Sequence, residues 1–247
     1  MPRPNTFLFI EPVQHYLEYS SCVMHKIIEA HRRPEHVITE LRGEDANPTA
    51  IDDAITRTDP ILIWGVGHGN VNVYSVECRQ IYMVACDART ARMAGRVIHL
   101  NSCLTAVELG PDLIRKGALT YYGSKEEFWL YIGSPPCSDR ASEAVFLAEL
   151  QVIASLMDGR TTGQAQEDRL RRYDEEIAYW TTGPGRNHPD AAVIVRILEI
   201  DKAIAVMLGR PDVRVTAPAV RPTIPVMASL PLMLGVVWFG SASEHKP

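Results

Sequence analysis

The feature that most constrains the fold of this chain is a continuous apolar run, PILIWGV, at residues 60–66. A half-buried strand alternates apolar and polar residues, whereas a strand covered on both faces is apolar throughout, so this run is typical of a central strand in a parallel sheet. Other short apolar runs alternate with segments of helical periodicity along the chain. That alternation predicts an α/β fold, in which a mostly parallel sheet has helices on its two faces.

The same patterns place the individual elements. Strands are predicted at 6–10, 37–41, 60–66, 96–100 and 118–122, with a hairpin or sheet extension formed by 71–76 and 80–85. Helices are predicted at 16–31, at 48–56 with Asn47 as N-cap, and at 108–116. The C-terminal half is mainly helical, and its last helix is predicted to span 190–208, with Val193, Ile197, Ile200 and Ile204 on one buried stripe.

The composition indicates the class of protein. The 247 residues carry a formal net charge of −5, and no basic run interleaves with aromatic residues, so nucleic acid is not an expected partner. Five cysteines at irregular spacing predict a reduced, cytoplasmic chain without a zinc site or another cofactor. The N-terminus has only four consecutive apolar residues, too few for a signal peptide.

The C-terminal end differs in character from the rest. We expect a globular domain at 1–210, followed by a Pro-rich segment and an apolar tail at 211–247. Residues 224–240 carry no charge, but Pro225 and Pro231 interrupt them, and the segment is short for a bilayer-spanning helix of about 20 residues. A tail buried against the core is the favoured interpretation, and contact with a membrane or a partner is the alternative.

The residues that follow the predicted strands indicate the chemistry. In an open parallel sheet, ligands bind beyond the carboxyl ends of the strands. His68 follows the strand at 60–66 and Cys103 follows the strand at 96–100, so an imidazole and a thiol would meet at one edge. This is the pairing that a cysteine nucleophile and its base require. A predicted helix after Cys103 would lower the thiol pKa, and the amides of Gly69 and Cys103 could bind an oxyanion.

These segments resemble the clan of cysteine peptidases that contains caspases and gingipains. The resemblance is carried by ILIWGVGHGN, by RVIHLNSC and by the following LTAVELGPDLIRKGALTYYGS, and it is strongest to the gingipain and CHAT-type branch. It covers roughly residues 60–180. The resemblance implies a caspase-like three-layer sandwich, His68 as general base and acid, Cys103 as nucleophile, and Gly69 with the Cys103 amide as oxyanion donors. The caspase motif QAC is absent, because Asn101 and Ser102 precede the cysteine.

The resemblance also implies where the substrate binds. Glu11, at the end of the first strand, lies where relatives place a carboxylate that orients the histidine. The pocket for the residue before the scissile bond would be built from loops after two strands, namely Asn101, Ser102, Ser124, Glu126, Glu127 and Trp129. A carboxylate there would pair with Arg or Lys, which predicts cleavage after basic residues. A protein or peptide is thus the expected substrate. The activity is expected to be regulated by proteolytic processing or by an activating or regulatory protein.

Three alternatives remain open at this point. A catalytically silent adaptor would keep the same fold without turnover. Gly65, Gly67 and Gly69 superficially resemble a nucleotide-binding loop, but a strand-like VNVYSVE follows them where that loop needs a helix. Zinc binding by His68, Cys78, Cys86 and His99 lacks the usual ligand spacing.

Overall fold

A computed structural model describes residues 2–77 and 80–217 of the chain. The strands are β1 (Arg3–Glu11), β2 (Val37–Arg42), β3 (Pro60–Val66), β4 (His68–Asn70), β5 (Val73–Glu77), β6 (Gln80–Val84), β7 (Val97–Asn101), β8 (Thr120–Ser124) and β9 (Ala205–Gly209). The helices are α1 (Glu18–His31), α2 (Pro48–Thr58), α3 (Ala88–Ala91), α4 (Leu109–Arg115), α5 (Arg140–Glu149), α6 (Gln151–Met157), α7 (Thr162–Thr181) and α8 (Ala191–Ile204). Short 3₁₀ helices lie at His15–Leu17, Gly43–Asp45 and Pro184–Asn187.

The central sheet has six strands in the order β2-β1-β3-β7-β8-β9. Its first five strands are parallel and β9 runs antiparallel to β8. The run PILIWGV is β3, all of its residues are buried, and it lies between β1 and β7. The α/β fold with a mostly parallel sheet, predicted from this run, is confirmed.

Alternate residues of β1 face opposite sides of the sheet, as the period of a strand requires. Phe7 and Phe9 belong to a core that contains residues of α1, α5 and α6. Leu8 and Ile10 belong to a second core with residues of α2 and α4 and of the small antiparallel sheet β4-β5-β6. Helices therefore cover both faces, in agreement with the predicted three layers.

A buried ionic cluster joins the sheet to the C-terminal helices. His99 of β7 lies 2.9 Å from the Glu149 carboxylate, which also accepts a hydrogen bond from Arg169 Nε at 3.0 Å. The three side chains are at most 1% exposed. Burial lowers the pKa of His99. Because Glu149 occupies one ring nitrogen of this fully buried residue, His99 has a structural role in the core.

The last helix differs from the prediction. The predicted helix at 190–208 ends at Ile204, and the next five residues form β9. The chain extends here because β9 pairs with β8 and satisfies the backbone groups of that strand, which a longer helix would leave unpaired. The predicted buried stripe is also only partly correct. Val193 is 53% exposed, whereas Ile194, Ile197 and Leu198 face the core.

The segment after β9 packs on the fold. Val213 and Val215 are 8% and 0% exposed, and Asn5 N donates a hydrogen bond to the carbonyl of Val215 at 2.9 Å. Residues 211–217 therefore lie with the domain that the sequence predicts to end at 210. The predicted apolar tail at 224–240 lies outside the described residues. Within the described ranges, no helix combines the length and apolarity needed to cross a membrane.

A disulfide joins α1 to the segment between β8 and α5. It links Cys22 to Cys137, 115 residues apart. The prediction that the cysteines are reduced is therefore wrong for this pair. Spacing gave no sign of the bond, because the two residues meet only after α1 packs beside α5. Disulfides persist mainly in oxidising compartments, so the cytoplasmic location predicted from the cysteine pattern loses its basis.

Candidate active site

The structure brings His68 and Cys103 to the same cavity. Their strands β3 and β7 are parallel neighbours, with Val66 opposite Asn101, so each residue lies two positions beyond a paired strand end. The amide of Gly67 donates a hydrogen bond to the Asn101 carbonyl at 3.3 Å, which holds the two chain segments together beyond the sheet. Both residues border a cavity of about 120 Å³. His68 and Cys103 thus line one small cavity at the carboxyl edge of the sheet.

Gly69 packs directly on the backbone of the cysteine. A Cβ atom on Gly69 would lie 2.5 Å from the Cys103 carbonyl oxygen and 2.7 Å from a methyl carbon of Thr105. Only glycine fits such a close approach. Glycine is needed at position 67 for a different reason, because a Cβ atom there would lie 2.3 Å from the Ser75 carbonyl oxygen of β5. Packing against the small sheet therefore explains the glycine at position 67, and binding of a nucleotide is not needed to explain it.

The cysteine does not lie at a helix N-terminus. Leu104, which follows it, takes φ of 61°, and α4 begins only at Leu109. The expected lowering of the thiol pKa by a helix is therefore wrong. Burial raises the pKa of the Cys103 thiol, and the charges of Glu127 and Asp201 raise it further. Hydrogen bonds from the amides of Phe128 and of Cys103 itself act in the opposite direction.

One wall of the cavity comes from the segment that follows β8. Phe128 N lies 3.4 Å from Cys103 Sγ and donates a hydrogen bond to it. The amide of the next residue, Trp129, donates to Asp201 Oδ1 of α8 at 3.0 Å. Asp201 is 1% exposed, its Oδ2 has no hydrogen-bond partner, and burial raises its pKa to about 8. The segment is thus fixed between the thiol and α8.

A second, wider cavity is lined by the same segment. Its volume is about 400 Å³, and it also borders Cys103. Its lining includes Gly69, Glu127, Trp129 and Leu130. Leu130 borders both cavities. Cys103 is therefore reached from a small, partly enclosed cavity and from an open trough.

The predicted pocket residues divide among these surroundings. Asn101 and Ser102 line the small cavity, and Glu127 and Trp129 line the trough. Ser124, at 1% exposure, ends β8, and its carbonyl accepts a hydrogen bond from Ala106 N. The remaining residue, Glu126, has an exposed side chain, and its carbonyl accepts a hydrogen bond from Leu104 N. Neither Ser124 nor Glu126 is among the described residues that line the two cavities.

Glu11 lies in other surroundings. It is 3% exposed, and one carboxylate oxygen lies 3.7 Å from Arg42 Nε at the end of β2. Burial raises the pKa of Glu11 to about 7. The residue lines a separate cavity that also contains Cys22 and His25. The observed charge partner of the Glu11 carboxylate is Arg42. The role of Glu11 in orienting His68 stays a prediction.

Several residues of the site were not predicted from the sequence. Tyr16, Leu17, Phe128, Leu130 and Phe146 line the small cavity, and Asp201 fixes its wall. Tyr16 and Leu17 come from the turn before α1, and Phe146 comes from α5. None of these positions carries a motif. The sequence offered one indication of Phe128 and Leu130, namely that they flank Trp129, a predicted pocket residue, in the segment after a predicted strand.

Comparisons with known proteins add little to this geometry. No family model and no curated protein matches the sequence of this chain. Among solved structures, the chain is similar to one described as the X-ray structure of an inactive zymogen C11 protease from Parabacteroides distasonis. The TM-score is 0.38 and the sequence identity is 12%, over 85% of this chain and 86% of that chain. A likeness of this degree does not establish a family.

Proposed function

We propose that the protein is a cysteine endopeptidase that cleaves peptide bonds with the pair Cys103 and His68. The observation that carries the proposal is that these two side chains border one cavity at the carboxyl edge of a parallel sheet, with Gly69 packed on the cysteine backbone. Thiol, imidazole and close-packed backbone amides are the parts that acyl transfer needs. We further propose that the protein belongs to the caspase and gingipain clan.

The chemistry follows from these groups. His68 takes the thiol proton while Cys103 Sγ attacks the carbonyl carbon of the peptide bond, and the amides of Gly69 and Cys103 bind the resulting oxyanion. The C–N bond then breaks and His68 returns the proton to the leaving amine, which leaves a thioester. Water, deprotonated by His68, hydrolyses the thioester and restores the thiol. Because burial raises the thiol pKa, Cys103 starts the reaction protonated, and in this mechanism the proton passes to His68 during the attack.

Cleavage after Arg or Lys is the specificity that the charges favour. Glu127 lines the trough beside Cys103, and its charge raises the pKa of the thiol. A carboxylate in this position attracts a cationic side chain and forms a charge-assisted hydrogen bond with it. Trp129, which is 51% exposed in the same trough, offers an aromatic face to the aliphatic stem.

The second candidate function is a catalytically silent adaptor that binds a protein partner. The raised pKa of Cys103 favours it, since an unactivated thiol is not a nucleophile by itself. A partner or proteolytic processing that moves the segment after β8 would then control the site. Labelling with a peptidyl electrophile separates the two functions. A peptidase is labelled at Cys103 in a reaction that requires His68, whereas an adaptor is not labelled.

The proposed activity is tested with a panel of fluorogenic peptides. Hydrolysis is measured for the wild-type protein, for Cys103→Ala and for His68→Ala, with Cys86→Ser and His25→Ala as controls outside the site. We expect each dyad variant to lose at least about 10³-fold in kcat/KM, as members of a nucleophile–base unit do. Activity retained in either dyad variant contradicts the mechanism. Preference for Asp or a small apolar residue before the cleaved bond contradicts the basic specificity.

A further inference from the structure

An apolar groove runs between the segment after β8 and helix α8. Its volume is about 620 Å³. It is lined mainly by Trp129, Leu130, Ile132, Val193, Ile197 and Ile200. Apart from Arg196 at the rim, the lining residues in the described part of the chain carry no charge. A groove of this size holds several side-chain volumes of a peptide.

The groove contains an unusual share of the exposed apolar surface. Trp129, Ile132 and Val193 are 51%, 50% and 53% exposed. Only eight large apolar side chains in the described ranges are exposed to a comparable degree, and three of them meet here. Single exposed apolar residues are ordinary, but a contiguous group marks a binding surface. The groove is therefore a surface on which another apolar group packs.

The groove is continuous with the two cavities that border Cys103. Leu130 lines the small cavity, the trough and the groove. Trp129 and Ile132 line both the trough and the groove. An extended peptide rises about 3.3 Å per residue and can follow this surface from the nucleophile to α8. This continuity favours the bound substrate as the occupant of the groove.

The groove is also held in place before anything binds. The amide of Trp129 donates a hydrogen bond to Asp201 Oδ1 in the last turn of α8. The hydroxyl of Tyr131 donates to Asp190 Oδ2, immediately before α8, at 2.6 Å. These two bonds fasten the segment to both ends of the helix. A preformed groove binds its ligand without the loss of loop entropy that a mobile one incurs.

We propose that this groove is a substrate subsite, which binds one apolar side chain of the peptide at a position removed from the cleaved bond. The proposal rests on the proposed peptidase function and adds a second requirement to it. The preferred substrate then has a basic residue at the cleaved bond and an apolar residue a few positions away.

The test uses quenched fluorescent peptides and the full chain. One leucine is moved through three positions on either side of an Arg-containing cleavage site in an otherwise serine-rich peptide. We expect one position to raise kcat/KM about tenfold over the all-serine peptide, because burial of a leucine side chain contributes that much. Val193→Asp removes this gain. Val37→Asp is the matched control, since Val37 is 55% exposed on edge strand β2 and retains the gain.

Binding to the inactive Cys103→Ala protein separates the two proposals. The anisotropy of labelled peptides should show tighter binding of the best leucine peptide than of the all-serine peptide, again by about tenfold, and Val193→Asp should abolish the difference. If the wild-type protein hydrolyses nothing but this difference holds, the groove binds an apolar side chain of a peptide, and it is the peptidase function that fails. If hydrolysis occurs without a leucine preference, the subsite is overturned.

Another occupant of the groove gives a different result. A second copy of the chain, or the apolar residues 224–240, would already cover the groove in the full chain. Val193→Asp would then raise hydrolysis of all the peptides alike, and sedimentation would show whether the mass changes with concentration. Either result overturns the proposal.

Discussion

The backbone amide of Phe128 donates a hydrogen bond to Cys103 Sγ across 3.4 Å. The neighbouring amide of Trp129 binds Asp201, so the thiol is linked through two consecutive peptide groups to helix α8. Because a sulfur anion accepts such a bond more strongly than a thiol does, the position of this segment affects how readily Cys103 ionises. Anything that moves the segment therefore changes the ionisation of the Cys103 thiol.

The free thiol is expected to titrate at high pH. Burial and the nearby carboxyl groups raise the pKa of Cys103, so the thiol stays protonated at neutral pH. We predict that alkylation of Cys103 by iodoacetamide is slow at pH 7 and rises with pH, with a midpoint above that of an unperturbed thiol, about 8.5. The rate is read by mass spectrometry of the peptide that contains Cys103.

The exposed free Cys86 in the same sample serves as the internal reference for this measurement. A midpoint between pH 6 and 7 would mean that Cys103 exists as a preformed thiolate. That result would contradict the proposed transfer of the proton to His68 during attack.

Gly69 tests whether backbone contact at the cysteine matters. In Gly69→Ala, the new methyl group meets the Cys103 carbonyl oxygen, which cannot move without displacing the rest of Cys103. We predict a loss of at least about 10²-fold in kcat/KM, the size of effect seen when one oxyanion donor is lost. The free energy of unfolding should fall by only about 1–3 kcal/mol, as for other overpacked sites. A fully active variant would contradict a role of Gly69 at the oxyanion.

The strands, and the placement of His68 and Cys103 after two of them, could be predicted from the sequence because these signals are local. A continuous apolar run identifies β3, and the order of strands places His68 and Cys103 at one edge. Asn101 and Ser102 line the cavity because they lie at the carboxyl end of β7, directly before Cys103. These inferences need only the period of the strand and the topology of parallel sheets.

The remaining features depend on contacts between distant segments. The Cys22–Cys137 bond joins residues 115 apart, and no spacing rule connects them. Asp201 reaches Trp129 only because α8 packs beside the segment after β8. Edge strand β9 was predicted as helix because Leu208 lies four residues after Ile204 and so continues the apolar stripe of α8, and only pairing with β8 decides between helix and strand.

Asp201 predicts a dependence of stability on pH. Burial raises its pKa from an ordinary 3.8 to about 8, so between these values the folded protein keeps a proton that the unfolded chain has lost. Stability contributed by this group therefore falls as pH rises from 4 to 8. Asn keeps the acceptor for Trp129 N–H but cannot ionise. We predict that the stability of Asp201→Asn relative to wild type increases over this range, by at most on the order of 5 kcal/mol.

Urea unfolding at a series of pH values measures this difference. The difference in free energy of unfolding between Asp201→Asn and wild type should be smallest near pH 4, where the Asp201 carboxyl group is largely protonated in both the folded and the unfolded protein. A gap that is the same at pH 4 and pH 8 would mean that Asp201 is ionised in the folded protein.

The disulfide is expected to stabilise both the fold and the wall of the active site. It closes a loop between residues 115 apart, and Tyr19 Oη adds a hydrogen bond to the Ser134 carbonyl at 2.7 Å between the same two segments. In the chain-entropy model, loss of such a cross-link lowers the free energy of unfolding by about 4–5 kcal/mol. We therefore predict that a dithiol reductant lowers the urea midpoint of the wild-type protein to that of the double variant Cys22→Ser/Cys137→Ser. The midpoint of the double variant itself should not respond to the reductant. Hydrogen exchange in residues 125–139 should accelerate in the same samples, because the segment then loses its covalent link to α1. A wild-type midpoint that is identical with and without reductant would show that Cys22 and Cys137 are not joined in the folded protein.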